Sequence, residues 1–123
     1  KKLVKDLNFT TKITVVPTVR EQDGLAFSSR NSYLSKDNRK KAPLLYSSLL
    51  LASSAYKKGD HSARNLKEII GEQLKMENEI TIDYISIAES DSLQEVEEAS
   101  PGCMISAAIW LGSTRLIDNI VLE

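Results

Sequence analysis

One cysteine and one histidine are all that the 123 residues hold of the side chains used in disulfides, soft-metal sites and most nucleophilic triads. A lone Cys103 excludes an intrachain disulfide and suits a reducing compartment such as the cytosol. Cys103 also leads an apolar run, so a core position is expected rather than a nucleophile. His61 lies in the polar stretch Gly59-Asp60-His61-Ser62 and reads as a solvent-facing turn. Aromatic residues make up only 6% of the chain, and the single Trp110 is expected to pack in the core or at a domain interface. No apolar run approaches the roughly 20 residues that cross a bilayer; the longest are Leu49 to Ala52 and Ala107 to Leu111. Charge of neither sign dominates, with 16 basic against 17 acidic residues, which argues against a nucleic-acid footprint. Nothing near Lys1 resembles a signal peptide, and no internal repeat or low-complexity tract is visible.

What is present is a clear succession of elements. Lys1 to Asn8 reads as the tail of a helix, and the β-branched run Lys12 to Val16 as a strand that stops at Pro17. Ser35 is a good N-cap, with Asp37 in the first turn behind it. Pro43 lies too deep for that first turn, so it must kink the helix or start a second one. Ala42, Leu45, Leu49, Ala52 and Tyr56 form one helical stripe that Gly59 terminates. A further helix from about Ser62 to Met76 buries Leu66, Ile69, Ile70 and Leu74, with Gly71 as a local weak point. Then come three strand-like runs, Ile80 to Glu89, Cys103 to Leu111 and Arg115 to Leu122. Between the first two, Asp91 to Glu98 is expected to hold a short helical turn, with the acidic run Glu95 to Glu98 as a solvated face. Ser100-Pro101-Gly102 marks a turn, and Gly112-Ser113-Thr114 a hairpin link. The predicted fold class is α+β, two or three helices packed on a three-stranded antiparallel sheet.

The most informative segment is Val16-Pro17-Thr18-Val19-Arg20-Glu21-Gln22-Asp23-Gly24-Leu25-Ala26-Phe27-Ser28-Ser29-Arg30-Asn31-Ser32-Tyr33-Leu34. Arg30 offers five N–H donors and a permanent charge, and Ser28 and Ser29 add hydroxyl donors. Asp23-Gly24 supplies a turn tolerant of positive φ, which lets backbone approach a ligand closely. Such a loop suits a polyphosphate. Residue types alone equally allow a polar loop whose Arg pairs with a carboxylate and whose Ser residues cap turns.

This run resembles the signature loop of the pantothenate synthetase family, whose members join pantoate to β-alanine at the expense of ATP. Thr14 to Leu34, Ile82 to Ala88 and Ala108 to Glu123, which includes Leu116-Ile117-Asp118-Asn119-Ile120-Val121, resemble that family in the same order. The likeness covers almost all of this chain but only the last part of the family's sequence. The family's His-x-Gly-His element, on its nucleotide-binding half, is absent. The resemblance implies that residues 1–19 are a remnant of a Rossmann-like N-terminal nucleotide-binding domain, a helix end plus one strand. It implies that residues 20–34 are a phosphate-binding loop and hinge, and residues 35–123 a C-terminal lid. It implies that Ser28 and Arg30 act in catalysis, and that Ser28, Ser29 and Arg30 bind the phosphates of ATP. Pro17, Thr18, Val19 and Phe27 would line the adenine pocket. Mg²⁺ would accompany ATP without side-chain ligands identified in this chain. The partners implied are the small molecules ATP, pantoate and β-alanine, with no nucleic acid or membrane, in a cytoplasmic homodimer. This chain alone is expected to be inactive. Two other readings are a non-catalytic module that self-associates through the Lys12 to Val16 edge, and a related nucleotidyltransferase with another substrate.

Overall fold

The computed structural model describes all of Lys1–Glu123. Helix α1 spans Lys2–Asp6, α2 Lys36–Lys41, α3 Leu44–Lys57 and α4 Ala63–Lys75; strands β1, β2 and β3 span Ile80–Glu89, Cys103–Leu111 and Thr114–Val121. The Ser35 hydroxyl accepts from the Asn38 amide at 3.1 Å, satisfying one of the orphan donors that open α2. Pro43 then separates two helices rather than kinking one. Lacking an N–H, it cannot continue the ladder of α2, but its fixed φ of −61° suits the entrance of α3. Gly59, at φ +106°, releases the chain from α3. Ser62 caps α4 by accepting from Asn65 N at 3.3 Å.

The strands form one antiparallel sheet in the order β1-β2-β3. Register places Ile87 opposite Ile105, Ile82 opposite Ile109, and Ile109 opposite Leu116, so alternate residues line the helix-facing side. Against them lie Leu45 and Leu49 of α3 and Leu66, Ile70 and Leu74 of α4, all buried in the core. Each such side chain contributes about 1.5–3 kcal/mol on burial, which is what holds helices of this length together. Cys103 belongs to this core, as expected.

Three expectations change. Residues 91–98 form no helix. A turn closes at Leu93, whose N donates to Glu89 O at 2.9 Å with φ +59°. Residues 94–98 then run extended beside β1, with Val96 N donating to Ile87 O at 3.0 Å, Glu89 N to Gln94 O at 3.0 Å and Ala63 N to Glu97 O at 2.9 Å. This arrangement pairs backbone groups of an edge strand and of a helix start, which one helical turn would leave open. Residues 12–16 adopt no strand in this structure, because no neighbour in the chain offers a ladder to them; Ile13, Val15 and Val16 lie exposed. With no strand formed there, that edge gives the self-association reading no support. Of the two places expected for Trp110, the core is ruled out: it is 41% exposed, because the pleat that turns Ile109 and Leu111 inward turns it to the uncovered side of the sheet. His61 is exposed as expected, its ring 4.9 Å from that of Tyr56.

Gly71 sits where α4 packs on the sheet, and a Cβ built on it meets only Ile85 Cδ1, at an ordinary 3.8 Å. Gly71→Ala is therefore expected to stabilise the fold by about 0.5–1 kcal/mol, read as a higher urea midpoint with an unchanged slope. A lower midpoint would show that the helix–sheet spacing cannot accept a methyl group.

Candidate functional site

Residues 19–27 fold back as a small hairpin outside the main sheet. Phe27 N donates to Val19 O at 2.9 Å, Glu21 N to Leu25 O at 2.8 Å and Gly24 N to Glu21 O at 3.0 Å. Asp23-Gly24 is the expected turn, and Gly24 adopts φ +91°. The close approach it permits is to the protein itself, since a Cβ at Gly24 would lie 2.7 Å from Cδ1 of Tyr46. Leu25, on the hairpin's returning arm, is buried in the core.

What fastens this hairpin to the body is Arg20. Its Nη1 donates to Asp118 Oδ2 at 2.6 Å and its Nη2 to Asp118 Oδ1 at 3.0 Å, a two-point pair across 98 positions of sequence. Nη1 also donates to Gly24 O at 3.1 Å, and the guanidinium carbon stands 3.6 Å from the Tyr46 ring centroid. Asp118 is only 4% exposed and takes a further bond from Asn119 N at 2.8 Å. The hydrogen bonds to Asp118 raise the Arg20 pKa above its already high ordinary value, so this cation is permanent. A second tie joins Arg39 Nη1 to Asp23 Oδ2 at 2.6 Å, and that bond holds the Asp23 carboxyl below its usual range.

Beyond the hairpin, Ser28 caps a short 3₁₀ helix over Ser29–Tyr33 by accepting from Arg30 N at 3.2 Å. Asn31 Nδ2 donates back to Ala26 O at 3.0 Å. The fastened loop thus presents Ser28, Ser29 and Arg30 together on an exposed tip. Both hydroxyl protons are uncommitted, because Ser28 Oγ is used only as an acceptor and Ser29 engages only its carbonyl, which accepts from Ser32 Oγ. Arg30 has no carboxylate partner. The other four arginines all do: Arg20 with Asp118, Arg39 with Asp23, Arg64 with Glu68 and Arg115 with Asp83.

Arg30 and Ser28 line a cleft of about 190 Å³ against β3, with Phe27, Tyr46 and Arg115 among its walls. Val19 and Phe27, joined through their backbones, carry exposed apolar side chains beside the same loop. Pro17 and Thr18 lead into the hairpin as exposed, irregular chain. No group of three or more His, Cys, Asp or Glu side chains converges anywhere to hold a metal. Sequence reasoning did not find the Arg20–Asp118–Tyr46 cluster or the place of Arg115. The available signal was an aspartate on β3 two positions from buried Leu116, and so on the same inward-facing side.

Removing one partner of a buried ion pair strands the other charge, at a cost of about 3–5 kcal/mol. Asp118→Ala is expected to lower stability by that order in chemical denaturation and to speed amide exchange at Phe27 and Glu21; unchanged exchange there would separate the loop from the clamp. For Asp23 the folded pKa is depressed. Its contribution is therefore complete above the unfolded value and lost as pH falls through the lower folded one. Amide protection at Leu25, whose N–H donates to Asp23 Oδ1 at 3.3 Å, is expected to drop in that acid range. Asp23→Asn should abolish the dependence; an identical profile in that variant would assign it to another group.

Comparison with known proteins assigns the chain to a family. The profile of the family described as Pantoate-beta-alanine ligase matches residues 1–121. The pantothenate synthetases of Acetivibrio thermocellus and Clostridioides difficile are 43% and 44% identical over 123 residues, which is all of this chain and 44% of each relative. The chain thus spans less than half the length of the curated relatives it matches. The crystal structure of pantothenate synthetase from Thermus thermophilus superposes with a TM-score of 0.89 at 39% identity, over 97% of this chain and 43% of that one. Pantoate-beta-alanine ligase from Francisella tularensis, solved in complex with Beta-gamma ATP and Beta-alanine, gives a TM-score of 0.56 at 29% identity, over 97% and 36%. With a profile match over nearly its whole length and relatives of this similarity, the chain belongs to the pantoate-beta-alanine ligase family.

Proposed function

We propose that this chain is the loop-and-lid portion of a protein that condenses pantoate with β-alanine using ATP. In this reading residues 1–19 belong to a preceding nucleotide-binding domain, 20–34 are the phosphate loop and hinge, and 35–123 the lid. The pantoate carboxylate oxygen attacks the α-phosphorus of ATP, forming an acyl–phosphate bond as the bond to pyrophosphate breaks. The β-alanine amine then attacks the acyl carbon, and AMP leaves. The obstacle in the first step is charge: a carboxylate must approach a phosphate already ringed by negative oxygens. Fixed donors aimed at the departing pyrophosphate reduce that repulsion.

The observation that carries the reading is Arg30, the one arginine of five without a carboxylate, held beside two uncommitted hydroxyls on a firmly fastened loop. Arg30 spends its charge on no acid of the chain, whereas the other four arginines each meet one. In this role Arg30 neutralises the phosphates and Ser28 and Ser29 donate to their oxygens. Val19 and Phe27 offer apolar surface to the adenine, with Pro17 and Thr18 contributing backbone groups. Mg²⁺ belongs to the proposal as a companion of the ATP phosphates only. The loop's guanidinium and hydroxyls do not fit a metal, and no step is assigned to it through this chain. The reading extends, on family grounds, to a cytoplasmic homodimer of the whole protein; no helix here is long and apolar enough to cross a membrane.

In the whole protein, Arg30→Ala is expected to slow pantoate-dependent pyrophosphate release by roughly 10²–10³-fold, the scale of losing one preorganised charge donor. An unchanged rate would overturn the assignment. This chain by itself is expected to form no pantothenate from ATP, pantoate and β-alanine, and measurable product would show that the preceding portion is dispensable.

A further inference from the structure

Arg115 opens β3 opposite Trp110, directly after the tight turn at Gly112 and Ser113. It lines the small cleft that holds Ser28 and Arg30, and also a larger open hollow of about 530 Å³ formed with Arg30, Tyr33, Trp110, Ser113 and Thr114. Arg30 and Arg115 are the two residues common to both. The ladder between β1 and β2 shifts register between Ile82 and Tyr84, so Asp83 sits in a bulge with no cross-strand partner. From there Asp83 Oδ2 takes Arg115 Nε and Nη2, each at 2.8 Å. The pair engages only one edge of the guanidinium and leaves Nη1 uncommitted.

Asp83 lines neither cavity. The only carboxylate bordering either one is Asp118, which is already engaged by Arg20. A ligand entering here therefore meets two guanidiniums and no available acid. We infer that Arg115 is a second phosphate-binding cation, placed by the Asp83 bulge so that it and Arg30 grip different phosphate groups of one di- or triphosphate. The inference rests on the reading of the Arg30 loop as a polyphosphate site, and it adds that the far wall of that site is the start of β3. Two separated guanidiniums select a chain of phosphates over a single one, because a monophosphate engages one fork at a time.

The test is calorimetric titration of the whole protein with ATP, inorganic pyrophosphate and AMP, at low and high salt. Arg115→Gln keeps the aliphatic stem and removes the charge. It is expected to weaken ATP and pyrophosphate binding about tenfold, as loss of a charged hydrogen bond does. It should leave AMP unaffected and reduce the sensitivity to salt. Asp83→Asn breaks the same ion pair but keeps the cation, so it should retain the salt sensitivity that Arg115→Gln loses. A merely structural pair would make the two variants behave alike, and that result overturns the inference. So does parent-like ATP affinity in Arg115→Gln. Arg30→Ala measured alongside shows which idea has failed: if it still weakens ATP binding, the loop reading stands and only the role of Arg115 falls.

Discussion

The bond between Arg20 and Asp118 decides whether the chain presents a site at all. It ties a hairpin that precedes the body to the last strand of the sheet, and it does so with two hydrogen bonds, a third to the hairpin's own Gly24 carbonyl and a stacked ring. Loops usually owe their shape to local turns and their mobility to the lack of anything else. Here the turn at Gly24, the buried Leu25 and the Asp23–Arg39 tie all act with the bond that brings Arg20 to Asp118. The proposed phosphate grip would require that rigidity, since donors that must first be ordered spend binding energy on ordering.

Charge placement shows the same division of labour. Four arginines meet carboxylates, and three of those pairs position something: Arg20 holds the hairpin, Arg39 the turn, and Asp83 holds the Arg115 guanidinium at the start of β3. The remaining guanidinium is left to face outward on ground the others have made firm. A surface with nearly equal numbers of acids and bases can therefore still hold a locally cationic hollow. The near-neutral total given by composition conceals it.

How much of this is legible in the sequence follows from the range of each interaction. The caps at Ser35 and Ser62, the break at Pro43, the helix end at Gly59 and the three strands are short-range effects, and their residues announce them. The same holds for the Asp23-Gly24 turn and the grouping of Ser28, Ser29 and Arg30. Residues 94–98 escape a local reading because their conformation is set by an edge strand and a helix start elsewhere in the chain. Trp110 escapes it because a pattern of apolar residues does not reveal that one side of the sheet is uncovered. Arg20 and Asp118, 98 positions apart, leave no local trace of each other, and Arg115 gains meaning only from a bulge on a different strand.

That separation has a consequence for how the protein is born. Arg20 and the loop that depends on it are synthesised well before Asp118, with the four helical segments that follow α1 and two strands emerging in between. The hairpin can fold its own turn at once, yet it stays unmoored until β3 leaves the ribosome and pairs with β2. A nascent chain that has reached only β2 carries every loop residue and still does not hold them in place. If the tip binds nucleotide as proposed, that binding must wait until the sheet behind it is complete.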